Sequence, residues 1–373
     1  MGFPLLRLVL QVGKILALVP SCQRPLTFWQ KFYPFVMAGL VTLGVGIAMI
    51  FRAPFYQESS GFGVIIQILL DSTLYILNIY SILTSHGKNY VWCKLLKNLK
   101  TVDDNYSIRE HSNYWRFIGV NVLFWGGQTY MSYWGYSAIG FDFFRQFAIE
   151  YLQMYDELVI NFLFYAVLTM LLTRYHALTK QLQYHLFLLT KYGNTTQFTK
   201  ACSKIKLDFC RLKVCADIAN DIFGWPLLFT IVYACLQTLL YLEIIVVTPI
   251  SLNSILYVLI IIFLHYMYVI INIFLCESVS NQAKKTIQVA TNCEKYFLGE
   301  RGPDHDDLQH FIVVVNDNMP IFSAARFFEI NRMTVFSTLN VVITFLIVMV
   351  QFERAKQSGC RQSCDNETQN ALH

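Results

Sequence analysis

Charge is scarce in this chain of 373 residues: 14% are Asp, Glu, Lys or Arg, against roughly 25% in an ordinary globular domain. With 55% hydrophobic and 16% aromatic residues and a mean hydropathy of +0.44, that scarcity excludes a soluble enzyme and a disordered chain. No stretch rich in Pro, Gly or Ser divides the sequence and no internal repeat is visible, so the length reads as one membrane domain. The net charge of +5 does not gather into a basic patch but sits between the apolar runs, which argues against nucleic-acid binding. Also missing are G-x-x-x-x-G-K-[ST], H-E-x-x-H, G-x-S-x-G and any C-x-x-C pair. The expectation is a protein that is not an enzyme and carries no cofactor or metal. Asp304, His305, Asp306 and Asp307 follow Gly302 and Pro303, and read as the acidic start of a helix rather than as metal ligands.

Seven apolar runs are present, each near the roughly 20 residues a helix needs to cross the hydrocarbon core. They are Phe35–Phe51, Val64–Thr84, Phe117–Ile139, Leu158–Thr173, Phe223–Thr248, Ser254–Cys276 and Thr334–Phe352. The fold class expected is therefore all-α, a polytopic membrane protein with seven transmembrane helices. Ahead of the first run, Leu5, Leu8, Val9, Val12, Ile15, Leu16 and Val19 recur at helical spacing, while Arg7 and Lys14 interrupt any signal-like core. Residues 1–34 read as a cytoplasmic segment whose amphipathic helix lies on the membrane surface or against the bundle, not as a secretory signal.

Lys and Arg fix the orientation, because cytoplasmic segments hold an excess of them. If the N-terminus is inside, 24 of the 29 fall on the cytoplasmic side, leaving Arg52, Arg145, Arg354, Lys356 and Arg361 outside. The C-terminus is then extracellular. The basic connections are long, and helix-like spacing over 174–222 and 277–319 predicts spans that continue as helices into the cytoplasm. Of three N-x-[ST] sequons, at Asn105, Asn194 and Asn366, this topology exposes only Asn366 to glycosylation. Of ten cysteines only Cys360 and Cys364 fall outside, where a disulfide within or between subunits is allowed. The resulting division is 1–34 N-terminal segment, 35–276 six spans with a ligand pocket in their outer half, 277–333 cytoplasmic helical anchor, 334–352 pore-lining seventh span, and 353–373 extracellular tail.

At about 100° per residue, Ser337, Asn340, Thr344 and Gln351 fall within about 60° of one another on the seventh span, and Val348 lies on the same stripe. Periodicity alone leaves two readings. These groups hydrogen-bond to other spans of one subunit, or they line a water-filled path that Val348 or Phe352 closes by dewetting and where the Gln351 amide replaces part of an ion's hydration. The run Thr344-Phe345-Leu346-Ile347-Val348-Met349-Val350-Gln351-Phe352 resembles the terminal signature of insect gustatory receptors, Thr-Tyr, five hydrophobic residues, then Gln-Phe, with Phe345 in the Tyr place. Seven spans, an inside N-terminus and the chain length resemble that family and the related insect odorant receptors, which share the topology without the signature. The resemblance implies a ligand-gated, poorly selective channel for monovalent and divalent cations, a homo- or heterotetramer with related subunits around one pore, joined through its cytoplasmic helices. It implies Gln351 and Phe352 as pore and gate residues, to which the stripe adds Thr344 and Val348. A place in the plasma membrane of chemosensory neurons follows from the same resemblance, with no G protein required.

The outer halves of the spans offer a cup for a small amphipathic molecule: Asp71, Tyr75, Tyr130, Tyr133, Trp134, Tyr155, Asp156, Asn161, Gln237, Tyr241, Glu243 and Tyr257. Asp71 and Glu243 stand out because a carboxylate within a span is costly and faces a cavity or a partner. An ionised Asp71 would favour cationic, bitter-type tastants, with ring faces adding cation-π contacts; a sugar or contact pheromone is the other expectation. A G-protein-coupled receptor reading rests on Thr173-Arg174-Tyr175, but that tripeptide follows the fourth run rather than the third, no N-P-x-x-Y closes the seventh, and the charges put the N-terminus inside. A secondary transporter would use Asp71, Glu243 and His265 as coupling groups, yet no inverted repeat is visible. The remaining alternative is a non-conducting partner subunit of a chemoreceptor complex.

Overall fold

The computed structural model describes the backbone of residues 4–20, 27–58, 61–106, 114–193, 195–247, 252–294 and 303–370, with the side chains at 4–5, 55, 57–58, 61–62, 138, 195, 244, 246–247, 252–258, 260–261, 264–265, 293–294, 303–305 and 352–370 left outside the description. The chain is a bundle of helices: α1 (Pro4–Ile15), α2 (Phe28–Glu58), α3 (Gly61–Gly87), α4 (Asn89–Tyr106), α5 (Tyr114–Ile139), α6 (Asp142–Tyr192), α7 (Thr195–Val247), α8 (Leu252–Glu294), α9 (Pro303–Asp317) and α10 (Arg332–Asn370). A hairpin of two-residue strands, β1 (Ser323–Ala324) and β2 (Phe328–Glu329), lies between α9 and α10 and pairs Ser323 with Glu329 and Ala324 with Phe328.

Each apolar run falls within a single helix, save for Thr248 at the end of the fifth, which lies outside the described residues. Among the described residues, five helices are long and apolar enough to cross a membrane: α2, α3, α6, α7 and α10. In α5, Trp, Tyr and Gly take the place of aliphatic residues, and much of the apolar run of α8 lies where side chains are not described. α6 and α7 are central, with 72% and 67% of their most apolar stretch buried, whereas α2 and α10 are peripheral at 17% each.

The expected continuation past the apolar runs is present. α6, α7 and α8 have 51, 53 and 43 residues, or about 77, 80 and 65 Å at 1.5 Å per residue, at least twice the roughly 30 Å of hydrocarbon. Beyond the runs, Leu178 and Leu182 of α6 pack with Phe209 and Leu212 of α7 in one core, and there burial from water contributes about 1.5–3 kcal/mol per large side chain. α6 stops at Gly193, whose φ of 65° is the left-handed value that glycine adopts without penalty, and whose N–H bonds to the Leu189 carbonyl at 2.9 Å.

Of the two placements open to the amphipathic N-terminal segment, α1 takes the one against the bundle. Leu6 and Val9 are buried in the main core, and the Ser85 hydroxyl of α3 donates to the Ala17 carbonyl at 2.7 Å. The stretch marked as an anchor divides into the end of α8, α9 and the hairpin. The tail is helical as far as Asn370, because Glu353, Arg354, Ala355, Lys356 and Gln357 are good helix formers and no proline intervenes. The side chains of Phe352, Cys360, Cys364 and Asn366 lie outside the described residues.

Candidate functional site

α10 leans on its own subunit through few residues. Val342 and Met349 are its buried apolar side chains, 7% and 6% exposed, and Val342 packs with Ile66 of α3 and Leu239 of α7. These two lie about 140–160° around the helix from Thr344. Ser337, Asn340, Thr344, Val348 and Gln351 are all exposed, on the face turned away from the bundle. Among the described residues, the hydrogen bonding of the stripe stays within its own helix: the Thr344 hydroxyl donates to the Asn340 carbonyl at 2.8 Å. Among the described residues, no bond from the stripe to another span of the same subunit is seen. Phe345, about 100° from Thr344, is exposed beside the stripe.

The residues expected to form the pocket separate into two groups. Tyr130, Tyr133 and Trp134 of α5 point outward, 52%, 70% and 59% exposed, and do not join a cup; a helical period places residues on a face but does not say which face turns inward. The others whose side chains are described are buried or half-buried. Tyr75 shares a hydrogen bond with Thr42 at 3.0 Å, and Tyr155 donates to Asn121 Oδ1 at 2.8 Å while its ring lies 5.1 Å from that of Trp125. Gln237 and Glu243 are buried and Tyr241 is half-buried. Glu243 reaches across to Gly63 at the start of α3, where an added Cβ would fall 2.7 Å from its Oε2. The Tyr257 side chain is outside the described residues.

Asp71 has partners that the sequence did not reveal. Arg52 of α2 bonds both its carboxylate oxygens at 3.1 and 3.2 Å, the Tyr56 hydroxyl donates to it at 2.8 Å, and Gln67 Nε2 at 3.0 Å. The same guanidinium is ion-paired with Glu150 of α6, donates to the Gln146 carbonyl at 2.9 Å and lies 4.4 Å from the centre of the Phe147 ring. Arg52 is 4% exposed, so Asp71 is engaged inside the protein by a guanidinium that it shares with Glu150. No local signal marks this set, because its members lie on three helices up to 98 positions apart.

Asp156, one turn above Ile160 on α6, is different. It is fully buried, and neither carboxylate oxygen has a hydrogen-bond partner among the described residues. Glu157 accepts from the Tyr268 hydroxyl at 3.0 Å, and Asn161 donates to Thr230 Oγ1 and accepts from Asn272 Nδ2, both at 3.3 Å. This polar layer joins α6, α7 and α8, and of it only Asp156 and Asn161 were legible beforehand. A cavity of about 170 Å³ lies elsewhere, at the α6–α7 tip beside His185, Tyr192 and Phe198, and one of about 20 Å³ lies beside Ser81 and Pro226. Arg174, noted for its tripeptide, is buried and joins α6 to α4 through Asp103 at 2.8 Å. Burial pushes the Asp103 carboxyl up and Arg174 pulls it back.

Long apolar helices packed around two central ones, with polar layers buried between them, define an all-α membrane protein. The family model described as 7tm Chemosensory receptor matches residues 6–356. The chain belongs to that chemosensory receptor family, in keeping with its resemblance to insect chemoreceptors. It is similar in fold to the insect olfactory receptor OR5 from Machilis hrabei, with a TM-score of 0.63 and 13% identity over 93% of this chain and 97% of that one. The same receptor in complex with eugenol gives a TM-score of 0.57 at 13% identity, covering 93% and 98%. No curated protein matches.

Proposed function

We infer that the protein is a subunit of a ligand-gated, non-selective cation channel of gustatory type in the plasma membrane, opened by a small-molecule tastant, with four copies placing α10 around a central pore. The observation that carries this reading is the exposed stripe Ser337, Asn340, Thr344, Val348 and Gln351, turned away from the subunit's own bundle. The Asn340 and Gln351 amides are unfavourable against lipid, and water in a shared pore would satisfy them. Thr344, Val348, Gln351 and Phe352 are the pore and gate residues proposed, and the signature ending in Gln351-Phe352 favours gustatory over olfactory. The seven helices, with 24 of 29 basic residues on one side, support seven spans with the N-terminus in the cytoplasm.

The tastant site proposed is the inward-facing part of the outer-half set, around Tyr75, Tyr155, Asp156 and Gln237. Since Arg52 engages Asp71, Asp156 becomes the carboxylate that a hydrogen-bond-donating, bitter-type compound would meet. The test begins with the mass of the detergent-extracted complex. Four subunits of 43.3 kDa correspond to roughly 170 kDa before detergent, and a stable monomer would overturn the pore reading. Gln351→Ala is then expected to change relative cation permeability while leaving the mass unchanged.

A further inference from the structure

α7 has a weak point at the inner end of its apolar run, and the chain leading to α10 is fastened there. Pro226 has no N–H to offer the Ile222 carbonyl, so the helix lacks one rung. On the bundle side of this turn lies the cavity of about 20 Å³ bounded by Ile222, Phe223, Pro226 and Ser81. Asn220 and Gly224 lie about 160–200° around from Ile222, and there the β1–β2 hairpin is bound. The Ala325 N–H donates to the Gly224 carbonyl at 3.0 Å, and the Ser323 N–H donates to Asn220 Oδ1 at 3.2 Å. Asn220 Nδ2 in turn donates to the Ile321 carbonyl. Arg326 pairs with Asp221 at 3.0 Å, and the Phe327 ring meets Trp225 edge-on at 5.7 Å.

The approach is close at Gly224, where an added Cβ would lie 3.1 Å from the Ala325 nitrogen and 3.3 Å from the Ser323 oxygen and would press on the hairpin backbone. The hairpin is itself strained: Ala325 and Arg326 are consecutive residues with φ of 49° and 64°, a turn that normally takes Asn or Gly. Ile330 returns to Phe322 by a backbone bond of 2.9 Å, and Asn331 caps α10 by accepting from the Met333 N–H at 2.9 Å. No slack chain separates the fastening from the last helix.

We propose that this fastening of the hairpin to α7 beside the Pro226 break is the link through which the bundle sets the position of α10, with Asn220, Asp221 and Gly224 as positioning residues. The proposal rests on the channel reading for its functional consequence and on the contacts alone for its mechanics. A movement of α7 at its missing rung would carry the hairpin, and the capped start of α10 would follow.

The test uses the full chain in lipid vesicles, reading hydrogen–deuterium exchange over residues 320–340 and ligand-free potassium flux. Asn220→Ala removes two bonds and Gly224→Val displaces the hairpin. Each is expected to quicken exchange about tenfold, the factor equivalent to 1.4 kcal/mol or one to two net hydrogen bonds, in the first turns of α10 as well as in the hairpin, and to change the basal flux. Asp221→Arg is expected to alter flux, and adding Arg326→Asp to restore it. Asn220 is half-buried at the surface of α7, so its variant carries the test if Gly224→Val does not fold. Faster exchange confined to the hairpin, with α10 and flux unchanged, overturns the link. Exchange reaching α10 in vesicles that never conduct keeps the link and overturns the channel.

Discussion

At the scale of single residues, charge decides most. Arg174 is fully buried and bonded to Asp103 and to the Met170 carbonyl at 2.7 Å. Removing one member of a buried pair leaves the other desolvated, at a cost of about 3–5 kcal/mol. Arg174→Ala is therefore expected to lower the thermal midpoint of the purified protein sharply, and more than Lys213→Ala, whose pair with Asp217 is half-exposed. Equal midpoints for the two variants would contradict the pairing. Arg174 was visible in the sequence as part of a suggestive tripeptide, but its partner lies 71 positions away on α4. The same limit hid the partners of Arg52, read from the sequence as one of a few outer charges and found at the centre of a buried ionic set.

At the scale of elements, what was legible follows from how local the cause is. Apolarity sustained over about 20 residues is a property of one segment, so every run became part of a helix. The long basic connections read as helices for the same reason. The strands around Ser323 and Phe328 were not legible, since two residues carry no alternation, and their pairing depends on α7 as a backing. The α6–α7 tip allows a prediction of its own. Burial lowers the readiness of His185 to take a proton, so its folded-state pKa lies below the ordinary value of about 6.5. Its contribution to stability is present above the unfolded value and is lost as pH falls through the folded one. Acidification from pH 7.5 to 5 is expected to speed proteolysis at this tip, and His185→Gln to weaken that dependence; identical pH profiles would count against the burial of the ring.

At the scale of the whole molecule, the proposed topology rests on the uneven distribution of basic residues and has a chemical readout. Asn105 donates to both oxygens of Asp208 at 3.1 and 2.9 Å, tying α4 to α7, and the proposed topology places it on the cytoplasmic side. Expression in a glycosylating cell is expected to give a single endoglycosidase-sensitive band shift that disappears in Asn366→Gln and persists in Asn105→Gln and Asn194→Gln. A sugar on Asn105 would reverse the orientation and with it the assignment of an outer pocket.

The last helix is the part of the chain least able to stand alone. Its bundle-facing side holds Val342 and Met349, while its opposite side carries amide and hydroxyl groups. If α10 lines a shared pore as proposed, a lone copy in the bilayer would leave the Asn340 and Gln351 amides without water, at a cost that assembly removes. On that reading the working receptor would form only with its partners, and its number would be set by the scarcest of them rather than by the rate at which any one chain is made.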